Sequence, residues 1–270
     1  MSMIVQNQTG KFIFNTSAPQ RIVSLVPSVT ELLHLLGLEN EVVGITKFCV
    51  HPREWFRSKP RIGGTKNVSI QKVKELQPTL ILANKEENVK EQVDELALSF
   101  PTYLGDVTDL ASAITMITET GKLTGTSQQA EVIVQQIQSN FLQLKVSKKV
   151  RALYLIWKNP YMSAGGDTFI DAMLEAAGFE NVLAHQTRYP VVTVDEIQEL
   201  NPDVILLSSE PFPFKRHHAT ELAQLTGIKK AALVDGEMFS WYGSRMLHAP
   251  SYFAKLRETL FLNDETVVQV

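Results

Sequence analysis

Residues 69–86, SIQKVKELQPTLILANKE, are echoed by residues 193–210, TVDEIQELNPDVILLSSE, and this echo constrains the fold more than any other feature. Val73 and Ile197, Leu76 and Leu200, Pro78 and Pro202, Ile81 and Ile205, and Glu86 and Glu210 are each 124 positions apart. One offset held over five pairs marks an internal duplication of an α/β unit. Each copy sets a hydroxyl residue, Ser69 or Thr193, where a helix N-cap is wanted. Apolar residues at helical spacing follow, then a proline that blocks continuation, then a short β-branched run. The predicted order is helix, turn, buried strand. GLEN at 37–40 and GFEN at 178–181 form a second echo, whose glycines suit the left-handed residue that ends a helix. The first half also carries an extra loop, FCVHPREWFRSKPRIGG.

Further strands are expected at 21–26, 42–45, 79–83, 102–104, 151–156, 204–207 and 231–234, alternating with helices, which is the signature of a parallel sheet covered on both faces. Residues 1–20 read as a hairpin entry turning at Thr9-Gly10. Pro27 closes the first strand, and Ser28 and Glu31 stand at capping-box spacing. Residues 127–146 contain no Gly or Pro and predict one helix of about 30 Å, long enough to join two domains or to lie on the surface of the first. The expected division is an amino-terminal lobe at 1–124, a linking helix at 125–147 and a carboxy-terminal lobe at 148–270. At 270 residues the chain can bury two ordinary cores. The fold class is therefore α/β: two Rossmann-like lobes with parallel sheets, joined by one long backbone helix.

A net charge of −3 gives no basic footprint for nucleic acid, and no apolar run reaches the ~18 residues of a membrane span. The first residues lack the basic and apolar regions of a secretory signal. The expected location is extracytoplasmic, periplasmic or membrane-anchored, if a leader has been removed, and cytoplasmic if the first Met is native. Phosphate-loop, dinucleotide, nucleophile-elbow and CxxC motifs are all missing, which argues against an enzyme.

In open parallel sheets ligands bind beyond the carboxyl ends of the strands. That rule collects Pro27, Ser28, Phe48, Cys49, His51, Trp55, Asn84 and Lys85 from the first half. From the second it collects Trp157, Lys158, Tyr161, Ser163, Ser209, Phe212 and the run 239–245 with Trp241, Tyr242 and Arg245. All three tryptophans fall in this set, and such a face suits a large, flat, partly apolar ligand, the alternative being that the aromatics fill a core. The six histidines show no tight metal spacing, so no metal site is assigned; His51, beside Cys49, and His248 stay open as candidates. Glu86 and Glu210 follow the last strand of each repeat. They are either solvated loop acids or a two-point docking surface for a two-fold partner.

RIVSLVPSVTELLHLLGL, VGITKFCVHP, SIQKVKELQPTLILAN, SAGGDTFIDAMLEAAGFENVL, and PDVILLSSEPFPF followed by DGEMFSWYGSR together resemble the cobalamin and iron-siderophore class of substrate-binding proteins of ABC importers, the helical-backbone metal receptors. The resemblance covers about residues 20–262. It implies two α/β lobes on one long helix, a ligand held between them, and no intrinsic cofactor. The implied ligand is a corrinoid or another ferric or metal chelate, delivered to an inner-membrane ABC permease dimer. It further implies one acid per lobe pairing with permease arginines, Glu210 in the second and Glu86 or Glu87 in the first, with the repeat offset favouring Glu86. Phe48 and Trp241 look like counterparts of the pocket aromatics, although the cobalamin receptors carry a tyrosine at the Phe48 position. Two alternatives are kept: an iron-siderophore or haem receptor of the same class, and a cytoplasmic chelatase-like protein using His51 or His248.

Overall fold

The computed structural model describes residues 5–6, 12–13, 18, 21–146, 148–228, 230–262 and 267–269. The chain forms two compact units. Unit 1 comprises Met1–Val107, Ala111–Gln136 and Trp241–Ser244; unit 2 comprises Thr108–Leu110, Ile137–Ser240 and Arg245–Val270.

In unit 1, β1 (Val5–Gln6) and β2 (Phe12–Ile13) pair antiparallel, as a hairpin requires; the expected turn at Thr9-Gly10 lies outside the described residues. There follow β3 (Ile22–Ser24), α1 (Pro27–Leu35), β4 (Val42–Ile45), α2 (Arg53–Ser58), α3 (Ile70–Leu76), β5 (Leu80–Asn84), α4 (Lys90–Ala97), β6 (Thr102–Gly105), α5 (Leu110–Thr124) and α6 (Ser127–Gln143). The sheet is wholly parallel in the order β4-β3-β5-β6. Every residue of β3 and β5 is buried, so both strands are apolar without an exposed face up to a closing polar residue, Ser24 and Asn84.

Unit 2 holds β7 (Val150–Trp157), β8 (Met162–Ser163), α7 (Phe169–Ala176), β9 (Phe179–Asn181), α8 (Val194–Leu200), β10 (Val204–Ser208), α9 (Arg216–Thr226), β11 (Ala231–Val234), α10 (Glu237–Ser240), α11 (Ala249–Leu262) and β12 (Val267–Gln269). Its sheet runs β12-β11-β10-β7-β8, with β9 also on β7, and is parallel except for β8.

The duplication is realised in detail. Neighbours β4, β3, β5, β6 in unit 1 correspond to β9, β7, β10, β11 in unit 2. Ser69 caps α3 by accepting the Lys72 amide, and Thr193 caps α8 by accepting that of Glu196. Both helices end on a left-handed residue, Gln77 at φ 45° and Asn201 at φ 42°. An arginine at the start of the central strand closes each helix: Arg21 Nε donates to Leu76 O at 2.7 Å, and Arg151 Nη2 donates to Leu200 O at 2.8 Å.

Four local expectations change. α1 begins at Pro27, whose fixed φ and missing N–H suit the first helical position, so Val26 is the N-cap and Ser28 and Glu31 make no capping box. The first strand is accordingly shorter than 21–26. The extra loop contains α2. The long helix stops at Gln143, giving about 25 Å, with its residues up to Gln136 in unit 1 and those from Ile137 in unit 2.

Candidate ligand-binding site

In unit 1 the candidates gather at the carboxyl ends of β3 and β4. Pro27 and Ser28 open α1 directly after β3, Pro27 half-buried and Ser28 buried. Cys49 is wholly buried, its Sγ 3.1 Å from both Thr30 Oγ1 and Thr46 Oγ1. Burial pushes its thiol pKa up, against the opposing effect of those hydroxyls. Its place in the structure is thus that of an anchor for the turn after β4, which leaves the neighbouring Phe48 ring 50% exposed. That ring lies over Gly64, where an added Cβ would stand 3.1 Å from it, and Lys47 Nζ is 5.0 Å from its centroid. His51 meets Trp241 edge to face, centroids 5.7 Å apart. Trp241 and Tyr242 are buried in unit 1 although they come from the far end of the sequence, and the Ser244 hydroxyl donates to Glu31 at 2.8 Å to tie their loop down.

Trp55 departs from the expected ligand face. It is fully buried beneath α1, with the His34 ring 5.2 Å away edge-on and Lys59 Nζ 5.4 Å from its ring. Asn84 is also buried, and Lys85 is ion-paired with Asp106 at 2.7 Å.

In unit 2 Trp157 ends β7 at 40% exposure and meets Phe212 edge to face at 5.8 Å. Phe212 in turn contacts Phe214 at 4.7 Å. Lys158 pairs with Glu221, and Tyr161 is half-buried, burial raising its phenol pKa. Arg245 is held by Glu237 at 2.8 Å, both side chains largely shielded from water. His248 is exposed just after the turn 244–247. Among the described residues no three His, Cys, Asp or Glu side chains come together to hold a metal ion, and no helix is long and apolar enough to cross a membrane.

The acids following β5 and β10 are set by equivalent devices. The Glu86 and Glu87 amides both donate to Asn84 Oδ1, at 2.8 and 3.4 Å. The Glu210 amide donates to Ser208 Oγ at 3.3 Å, while the Glu210 carboxylate accepts the Ser240 hydroxyl at 2.8 Å. Gly236 is required beside it, since a Cβ there would sit 2.8 Å from Glu210 Cγ and 2.3 Å from Ser208 Oγ. All three acids are half-buried. Glu31, expected only as a capping residue, and His218, expected on a solvated face, take other partners; the contact of Glu31 with Ser244 spans 213 positions.

Each unit thus carries aromatic side chains near the carboxyl ends of a largely parallel sheet. Residues 22–231 match the periplasmic binding protein family, and the chain belongs to it. It is 29% identical over 201 residues to an uncharacterized ABC transporter substrate-binding lipoprotein, YvrC, of Bacillus subtilis, covering 70% of this chain but 63%, under two thirds, of that relative's own length. It is 24% identical over 197 residues to the vitamin B12-binding protein of Yersinia pestis, covering 71% of this chain and 70% of the relative. Among solved structures, the periplasmic vitamin B12-binding protein BtuF of Vibrio cholerae superposes with a TM-score of 0.76 at 19% identity, over 89% of this chain and 97% of that one. This likeness shows the fold. The same fold is shared by proteins described as periplasmic heme-binding and as Fe3+-hydroxamate transport proteins.

Proposed function

We propose that this protein is the non-enzymatic substrate-binding component of an ABC importer and that its cargo is a metal chelate, a corrinoid first, with haem or a ferric siderophore as alternatives of the same class. The family match across residues 22–231 carries the reading. The chemistry at the strand ends supports the choice of cargo: Phe48 exposes half its surface in unit 1 and Trp157 two fifths in unit 2, beside His51, Trp241, Tyr242 and Tyr161. Planar, polarisable surfaces of this kind favour a large conjugated ring over a small ion, which wants converging oxygen or nitrogen ligands. Pro27 and Ser28 would border the ligand in unit 1, Cys49 would hold the Phe48 turn from beneath, and Arg245, neutralised by Glu237, would shape the loop that carries Trp241.

In this reading the protein works outside the cytoplasm and hands its cargo to a permease dimer through Glu86 and Glu210, with Glu87 beside the first. A charge-assisted pair to a permease cation gives each acid orientation as well as attraction. The test is titration of the purified protein with cyanocobalamin, haemin and ferric hydroxamate siderophores. Saturable one-to-one binding of one of them is expected, and no binding of any would overturn the reading.

A further inference from the structure

The turn PFPFK at 211–215 hangs from two strand ends of unit 2. The Phe212 amide donates to Ile156 O at 3.2 Å and the Phe214 amide to Ser208 O at 3.4 Å. Its rings are wedged between a tryptophan and a histidine. Phe212 lies 5.8 Å from Trp157 and 5.3 Å from His218, and Phe214 lies 5.7 Å from His218. His218 is the third residue of α9, and its Nδ1 accepts the backbone N–H of Lys215 at 3.0 Å. This is the return bond of a capping box, normally made by Glu or Gln. A backbone N–H can only donate, so Nδ1 must present a lone pair and the imidazole is neutral, its proton on Nε2. Protonating Nδ1 would set two donors against each other and release both the cap and the rings packed against it.

The surrounding charges favour the neutral ring. Its close neighbours are His217, centroid 3.9 Å away on α9, Lys158 from the end of β7, Lys215 before the helix and Glu221 one turn along it, the last already paired with Lys158. Burial, His217 and Lys158 together hold the His218 pKa below its ordinary value, Lys215 adds to this, and Glu221 alone opposes it.

We propose that His218 is a positioning residue for the Phe212–Trp157 aromatic face, holding that face in place only while its imidazole is neutral, so that chelate binding weakens as the pH falls. The proposal rests on the reading that Trp157 faces the ligand. The sign follows from linkage: a group whose folded pKa is depressed contributes order that is fully present above its unfolded pKa, about 6.5 for histidine, and is lost as the pH falls through the folded value.

The test compares cyanocobalamin affinity at about pH 7.5 and about pH 5 in three proteins, on either side of the histidine range. The wild type is expected to lose about threefold to tenfold in affinity, a difference of one pKa unit between ordered and released turn being worth tenfold. His218→Gln keeps an acceptor at the third helical position without a titrating group, and its affinity should be flat over this range. His218→Phe keeps a ring without an acceptor, and should bind at both pH values as weakly as the wild type does in acid. A pH loss that survives in His218→Gln, or full affinity in His218→Phe, overturns the proposal. A second readout needs no ligand. The Trp157 emission, obtained as the difference between wild type and Trp157→Phe, should shift with a midpoint below about pH 6.5 and stay still in the His218→Gln background. If cyanocobalamin, haemin and siderophores all fail to bind, the proposed cargo is wrong, and the emission shift still decides the role of His218.

Discussion

The Asn84 side-chain oxygen accepts the Glu86 amide at 2.8 Å, and 124 positions later Ser208 Oγ accepts the Glu210 amide in the same way at 3.3 Å. In both repeats, therefore, the last residue of the strand turns the chain so that an acid follows two residues on. Glu210 is further fixed by the Ser240 hydroxyl, and the missing side chain of Gly236 leaves room for Glu210 and Ser208 beside it.

That shared geometry leads to a prediction about docking. Glu86→Lys and Glu210→Lys, singly or together, should leave chelate affinity within about twofold while weakening association with the permease and abolishing uptake when combined. A lost charge-assisted pair costs about 2 kcal/mol or more when desolvated and far less at a wet rim. Uptake assays beside ligand titrations check this; normal uptake by the double variant would assign the acids no docking role.

Gly37 and Gly178 end α1 and α7 at nearly the same φ, 79° and 80°, but in different surroundings. A Cβ at Gly37 meets nothing within 4 Å, whereas one at Gly178 would stand 2.4 Å from Val146 Cγ1 and 2.7 Å from Arg257 Nη1. Arg257 cannot retreat cheaply, because it is buried and donates to Gly178 O at 2.7 Å and Lys148 O at 2.6 Å. Gly37→Ala should cost about 1 kcal/mol of left-handed strain, and Gly178→Ala about 2 kcal/mol more, since the guanidinium bonds must also break. Urea unfolding of both variants measures the difference; equal losses would show that the Arg257 cluster yields freely.

The architecture was legible because duplication fixes what local patterns leave loose. Leu80 and Val204 are 124 positions apart and pair with Ile22 and Ala152, which are 130 apart, so the register of the central strands in one unit repeats in the other. Short elements were not legible: α2 and β8 carry too few residues for a period to show, and Pro27 looked like a strand terminator when it is the first helical residue. The long helix ends early because residues 144–146 leave the helical path, with no Gly or Pro to announce it.

At the candidate site, residue type alone does not separate positions. Trp55, Trp157 and Trp241 look alike in sequence, yet the first is fully buried under α1, the second is 40% exposed, and the third is buried against His51 in unit 1. Only long-range contacts such as Ser244 to Glu31 separate them. His217-His218 sits in a charged stretch that suggests a solvated face, and its capping bond to Lys215 is invisible without the backbone.

Cys49 makes a pH-dependent stability prediction. Its folded pKa is raised above the ordinary 9.0, chiefly by burial, so the protein keeps a proton that the unfolded chain gives up. Stability from this group is fully present below pH 9.0 and falls as the pH rises above it. Thermal melts of wild type and Cys49→Ala across the alkaline range should diverge in slope, the variant being the flatter. The native thiol should also resist alkylation at neutral pH; rapid labelling without unfolding would contradict its burial.

The last prediction concerns the pair His51 and Trp241. Trp241 and His51 meet edge to face, centroids 5.7 Å apart at 71°, and Trp241 is itself shielded, so under the proposed function only its remaining edge is open to a ligand. An aromatic contact contributes about 0.5 to 1.5 kcal/mol beyond area burial, so Trp241→Ala, which removes the contact and loosens its loop, should weaken chelate binding by about tenfold or more. His51→Ala should have a smaller effect, about threefold, because it frees the Trp241 ring without removing it. The double variant should be no weaker than Trp241→Ala alone if His51 acts through Trp241, since coupled residues are not additive. An additive double variant would instead give His51 a ligand contact of its own, and unchanged affinity in Trp241→Ala would return the tryptophan to the core of unit 1.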